Sequence, residues 1–181
     1  MRTEFDVGRM RRFGGLTDEQ AALLADMKPS LENHGPGLVD RFYANLDEHD
    51  ELKNLLDASP GRREALGKHL LVWLKSLSTG TYDNTYLNRR YQIGVRHVEV
   101  GLEPRWVIGA MSFCRSQIAG IIEADYGDAP DKIDRLLALD KVMDLDLNIM
   151  LQSYDDERMN LFLETTGFSK ELFESMIMAA G

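Results

Sequence analysis

The chain has 181 residues, 44% of them hydrophobic and 28% charged, which suits one folded domain with a short appendage and excludes a disordered or low-complexity chain. The formal net charge is −9 and the basic residues gather only locally, at Arg9 to Arg12, Arg62-Arg63 and Arg89-Arg90, which argues against nucleic acid as a partner. One cysteine, Cys114, permits no intramolecular disulfide and points to a reducing, cytoplasmic setting, while no signal-peptide run and no stretch of ~18 apolar residues argues for export or a membrane span.

The hydrophobic periodicity predicts helices nearly throughout, with no two-residue alternation and no internal repeat. A short basic helix is expected over about 3–12. Thr17-Asp18-Glu19-Gln20 is a capping-box signature that opens a helix carrying Leu23, Leu24 and Met27. That helix is expected to end near Asn33, where His34-Gly35-Pro36-Gly37 reads as a break. The next helix holds Leu38, Arg41, Phe42, Tyr43 and Leu46, and a short one follows over Glu51 to Leu56. A helix from Gly61 to Ser78 places Leu66, Leu70, Trp73, Leu74 and Leu77 on one stripe. Asp83 caps the helix that reaches His97 and ends near Gly101, and Pro104 opens its successor, which runs to about Tyr126.

The last long helix starts near Pro130 and reaches about Phe162, some 45 Å at ~1.5 Å per residue. Thr165 to Gly167 is a candidate hinge, and Phe168 to Met178 an apolar or amphipathic tail that reads as cut rather than finished. The fold class is all-α. Short middle helices of unequal length favour a globin-like packing over a regular bundle.

The segment RRYQIGVRHVEVGLEPRWVIGA, Arg89 to Ala110, carries the candidate chemistry. Ile93, Arg90 and Tyr86 share one helix side with His97. An imidazole on an apolar patch with an arginine about two turns away suits a flat, anionic, iron-bearing ligand: the imidazole gives iron an electron pair and the arginine meets a carboxylate at the ligand edge. Gly94 is expected to clear space beside that ligand, and Gly101 to let the chain leave the helix. The competing reading is an ordinary hydrogen-bonded, partly exposed histidine, with the glycines as packing sites. No zinc cluster, nucleotide loop, nucleophile elbow or kinase signature is present.

The run R-R-x-x-I-G-x-x-H-x-x-x-G-L-x-P-x-W-x-I-G-A resembles the proximal segment of the globin-coupled sensor and protoglobin family. FYANL, Phe42 to Leu46, is similar to that family's distal tyrosine motif, and TGTYDNTY, Thr79 to Tyr86, to its entry into the proximal helix. The resemblance implies a globin fold with an N-terminal extension helix and a long C-terminal helix. It divides the chain into an extension at 1–14, a sensor globin domain at 15–163 and the start of a linker to an output domain at 164–181. It implies haem b held through iron by His97, with Tyr43 in the distal pocket as a hydrogen-bond donor to O₂, and CO, NO or cyanide as other ligands. Leu66 and Leu70 are expected over the distal face, with His69 as the rival to Leu66, and Phe42, Trp73, Ile93, Trp106 and Phe113 as pocket walls. Val107 departs from the aromatic residue common there in the family.

A globin without an enzyme motif reads as a gas or redox sensor for a histidine kinase, a nucleotide cyclase or a chemotaxis transducer, not as an enzyme. A homodimer is expected through the last two long helices, with Leu136, Met143, Leu147, Met150 and Leu151 as contacts, although some of these must face their own core. The alternatives are a haem enzyme such as an NO dioxygenase and a haem-free helical dimerisation module.

Overall fold

The computed structural model describes residues 5–180; the start of the first expected helix, 3–4, lies outside them. In chain order the helices are α1 (Val7–Gly14), α2 (Asp18–Asp26), α3 (Lys28–Asp47), α4 (Asp50–Leu56), α5 (Arg62–Ser76), α6 (Asn84–Glu99), α7 (Pro104–Tyr126), α8 (Lys132–Thr166) and α9 (Lys170–Ala180). No strand occurs among the described residues, and no helix among them is long and apolar enough to cross a membrane.

Helix ends follow local chemistry wherever a side chain can take up a free N–H. Thr17 Oγ1 accepts from the Gln20 N–H at 3.2 Å and Gln20 Oε1 accepts from the Thr17 N–H at 3.4 Å, closing the expected capping box. Asp83 Oδ1 accepts from the Tyr86 N–H at 2.9 Å and starts α6. Pro104 opens α7, where its missing N–H has no helical partner to lose.

The break expected at His34-Gly35-Pro36-Gly37 does not occur. α3 runs through it, with Pro36 inside the helix. The chain instead turns at Met27, and Pro29 lies in the first turn of α3. Tertiary packing overrides the local signal: a Cβ on Gly35 would stand 2.8 Å from Leu71 Cδ1, so glycine lets α5 lie close against α3. Proline inside a helix removes one backbone hydrogen bond, and the close α3–α5 contact offsets that loss.

α8 is the axis of the molecule. α6, α7 and α2 pack along it, while α3 lies against α5 and α7. Its buried stripe is Leu139, Val142, Met143, Ile149 and Met150, continued by the polar Asp146 and Ser153. Met143 and Met150 therefore belong to this chain's own core and are not available for a dimer contact. Leu136, Leu147 and Leu151 are half-buried, whereas Ile133 and Leu137 of the same helix are exposed. Beyond Tyr154 the helix runs on largely exposed to Thr166, where Gly167 at φ 72° ends it. Phe162 packs its ring against Phe168 and Phe173, folding the start of α9 back onto that end.

Gly94 sits where α6 meets α8. A Cβ there would stand 2.5 Å from the Met150 carbonyl oxygen and closer still to Ser153 Oγ. Gly94 therefore serves a helix crossing, and not the clearance for a flat ligand expected from the sequence. Gly94→Ala is expected to lower stability by ~2 kcal/mol or more, the cost of overpacking against backbone that cannot move aside. Adding Ser153→Ala should not restore it, because the Met150 carbonyl remains; urea denaturation of both variants checks this.

Candidate functional site

His97 lies in the last turn of α6, and the helix end is built around it. Gly101 adopts φ 71°, its N–H donates to the Val98 carbonyl at 2.9 Å, and the Leu102 N–H donates back to the His97 carbonyl at 2.9 Å. This pair of bonds is the Schellman arrangement, which glycine closes because it alone adopts positive φ without strain. The Tyr154 hydroxyl donates to the Leu102 carbonyl at 2.8 Å and fastens the same turn to α8. The backbone from His97 to Leu102 is thus held at three carbonyls.

The imidazole is held differently. Its ring makes no hydrogen bond among the described residues, and its Nδ1 is buried without a partner. The backbone carbonyl expected to orient a metal-binding histidine is therefore not engaged. Burial holds the imidazole below its ordinary pKa, so it is neutral at pH 7 and keeps a lone pair. A buried polar atom left unpaired costs ~1–3 kcal/mol. A histidine with a free lone pair, shielded from water, is what an iron ligand needs.

Helices α5 and α6 are mounted on different partners, α5 on α3 and α6 on α8, and their backbones scarcely approach each other. Leu66 and Leu70 of α5 and Ile93 of α6 are half-buried. His69, the rival of Leu66, is exposed. On the third side, Phe42 packs edge-on against Tyr43, with ring centroids at 5.6 Å, and against Phe113 at 6.0 Å. Tyr43 borders α5 at Gly67, where a Cβ would stand 3.7 Å from the tyrosine ring. Its hydroxyl has no hydrogen-bond partner among the described residues, and burial raises its pKa to about 12, so it stays a protonated donor. No ring contact or hydrogen bond joins Tyr43 to His97.

One expected wall residue, Trp73, and the expected carboxylate partner, Arg90, are engaged elsewhere. Arg90 is 2% exposed and meets a carboxylate of its own chain: its Nε donates to Asp146 Oδ2 at 2.9 Å, and its Nη2 to Ser76 Oγ at 2.6 Å. Its guanidinium also lies 3.5 Å from the Tyr86 ring centroid. Trp73 donates its indole N–H to the same Asp146 oxygen at 2.9 Å. Arg90 is therefore committed to a core ion pair and is not free to meet a cofactor carboxylate, and Trp73 belongs to that pair's shell. Trp106 packs against His49, ring centroids 5.2 Å apart, and its indole nitrogen is buried without a partner.

Asp146 escaped the sequence reading, although it left a signal. It is an acid on the apolar stripe Leu139, Val142, Met143, Ile149, Met150 at helical spacing, and such a position is buried, so it needs a cation. A cavity of about 450 Å³ opens between α1 and α8, lined by Arg9, Phe13, Lys141 and Leu145 among others, and contains none of the candidate residues.

A haem fits what is present at His97: a neutral, uncommitted imidazole, half-buried apolar side chains on two helices held apart, and a protonated phenol. In the haem-free chain, His97→Leu is expected to leave stability unchanged or raise it by ~1 kcal/mol, because it removes an unpaired buried nitrogen. A clear loss in chemical denaturation would show instead that the imidazole is a satisfied structural group.

Residues 3–160 match the protoglobin family model. The fold matches the globin domain of a globin-coupled sensor from Geobacter sulfurreducens with a TM-score of 0.79 and 31% sequence identity, covering 83% of this chain and 99% of that one. The chain belongs to the protoglobin family.

Proposed function

We propose that this chain is a haem-binding sensor globin domain that responds to O₂ or to a redox change and regulates a C-terminal signalling output. The observation that carries the reading is the half-buried imidazole of His97, whose Nδ1 is shut away from water without a partner, on a helix end whose backbone is bonded. A fold that fixes the backbone and leaves the ring uncommitted at a cost in stability reserves that ring for a ligand.

In this reading His97 is the axial ligand of haem b. Leu66, Leu70, Ile93, Phe42 and Phe113 shield it from water, and the indole nitrogen of Trp106 remains available as a donor. The bound iron would supply the site for a diatomic gas. The chain's own part is to exclude water and to offer the Tyr43 hydroxyl, which stabilises a polar ligand such as O₂ over CO; NO and cyanide are further ligands to test. Arg90 takes no part in holding the haem edge. A homodimer through α7 and α8 uses the exposed Ile108, Ile133 and Leu137 more than the buried methionines. The segment 164–181 then leads towards an output module such as a histidine kinase, a nucleotide cyclase or a chemotaxis transducer.

Visible spectra of the purified chain, ferric, ferrous and with O₂ or CO, test the assignment. A Soret band is expected in the parent, and His97→Ala should lose the histidine-ligated spectrum. No Soret band after haemin addition would leave a haem-free helical dimerisation module. A fast turnover of NO with an added reductase would favour a haem enzyme.

Tyr43→Phe should raise the O₂ off-rate about tenfold while leaving CO little changed, since one hydrogen bond is removed from the more polar ligand. Stopped-flow ligand displacement measures both; an unchanged O₂ off-rate would remove Tyr43 from the site.

A further inference from the structure

The α5 and α6 helices are joined through a buried carboxylate on a third helix, and beside it by a direct hydrogen bond from Arg90 to Ser76. Trp73 and Ser76 come from α5, Arg90 from α6 and Asp146 from α8. The Arg90 side chain is 2% exposed and that of Asp146 is fully buried. The Ser76 hydroxyl accepts from Arg90 and donates to the Trp73 carbonyl at 2.5 Å, so the chain of bonds continues into the α5 backbone. From this network we propose that Asp146 is a positioning residue for the haem site, setting the separation of α5 from α6 and so the width of the crevice between Leu66, Leu70 and His97. The inference rests on the haem reading above.

The physical argument has three parts. α5 and α6 otherwise make almost no direct contact, so little else fixes their spacing on this side. The bonds are charge-assisted and buried, hence stronger and less tolerant of stretching than solvent-exposed ones. α6 is also locked lengthwise to α8 beyond the pair, by Gly94 against Met150 and Ser153 and by Tyr154 on the Leu102 carbonyl. A displacement of His97 therefore moves α6 and α8 together, while α5 follows only through Trp73 and Ser76. Arg90 lies two turns before His97 on the same helix side, and Trp73 one turn beyond Leu70, which places the clamp at one end of the crevice.

The test compares the parent with Trp73→Phe, which keeps a ring and deletes the N–H, and with Asp146→Asn, which keeps an acceptor and deletes the charge. Haem-free protein is followed by hydrogen–deuterium exchange. Haem-loaded protein is followed by the Fe–His stretching band in resonance Raman spectra and by haem transfer to a scavenger globin. Trp73→Phe should speed exchange in α5 more than in α8 and raise haem loss about tenfold, as expected for losing a hydrogen bond to a charged group. Asp146→Asn should in addition shift the Fe–His band.

Unchanged haem loss and an unchanged band in both variants, with only a lower melting temperature, would reduce the network to a fold-stabilising one and overturn the inference. If Asp146→Asn does not fold, Trp73→Phe alone decides by the same two readouts. A parent that takes up no haem overturns the site assignment and this inference together. A parent that binds haem, with variants that behave like it, overturns this inference alone.

Discussion

A carboxylate at the centre of the longest helix is the constraint around which the rest is arranged. Asp146 is fully buried, and burial raises its pKa while the Arg90 guanidinium works against that rise. An isolated charge in such a place is too costly to keep, so the fold must bring a cation and hydrogen-bond donors to it. It does so with Arg90 from α6, the indole N–H of Trp73 from α5 and the ring of Tyr86 beneath the guanidinium. Three helices are committed to one position before any apolar contact is considered. Replacing such a group with packed hydrophobic residues is often neutral or stabilising in other proteins, so its presence speaks for geometric control more than for stability.

From that point the molecule divides by function. α6 and α8 form one unit, welded at Arg90, at Gly94 and at Leu102. α3 and α5 form another, in close contact at Gly35 and Gly67. His97 belongs to the first and Tyr43 to the second. A ligand that touches both residues senses the relation of two packed units, and packed units shift between discrete arrangements more readily than they deform. α8 belongs to the unit that carries His97 and continues past its last buried residue, Tyr154, to Gly167. A sensor reading of this family member therefore has a mechanical route in which no separate link through α7 is required.

Stability and readiness oppose each other at the site. The helix end at His97 is bonded at its carbonyls, yet the ring itself, the Trp106 indole nitrogen and the Tyr43 hydroxyl have no partners among the described residues. Other buried hydroxyls are paired, that of Tyr82 with the Leu77 carbonyl at 2.6 Å and that of Tyr154 with the Leu102 carbonyl, while the Tyr86 hydroxyl and Asp146 Oδ1 beside the core ion pair are also left without a partner. Each such atom calls for an explanation, and at His97 a bound ligand supplies one in the sensor reading.

The sequence by itself determined most of the helix starts, the all-α class and the position of His97 at a glycine-closed helix end. Caps and Schellman turns are made between residues three to five apart, so a linear reading contains both partners. The family motif added the expectation of an iron-ligand role, again through a run of neighbouring residues. Only the tertiary structure decided what Arg90, Trp73 and Gly94 are for. Their partners lie 56, 73 and 56 residues away along the chain, all on α8. Arg90 found its carboxylate in Asp146 rather than in a cofactor, and Gly94 found a helix rather than a flat ring. The glycines and proline near His34 read as a break because local propensity is all that a linear view weighs, whereas α5 lying against Gly35 made a continuous helix the better solution.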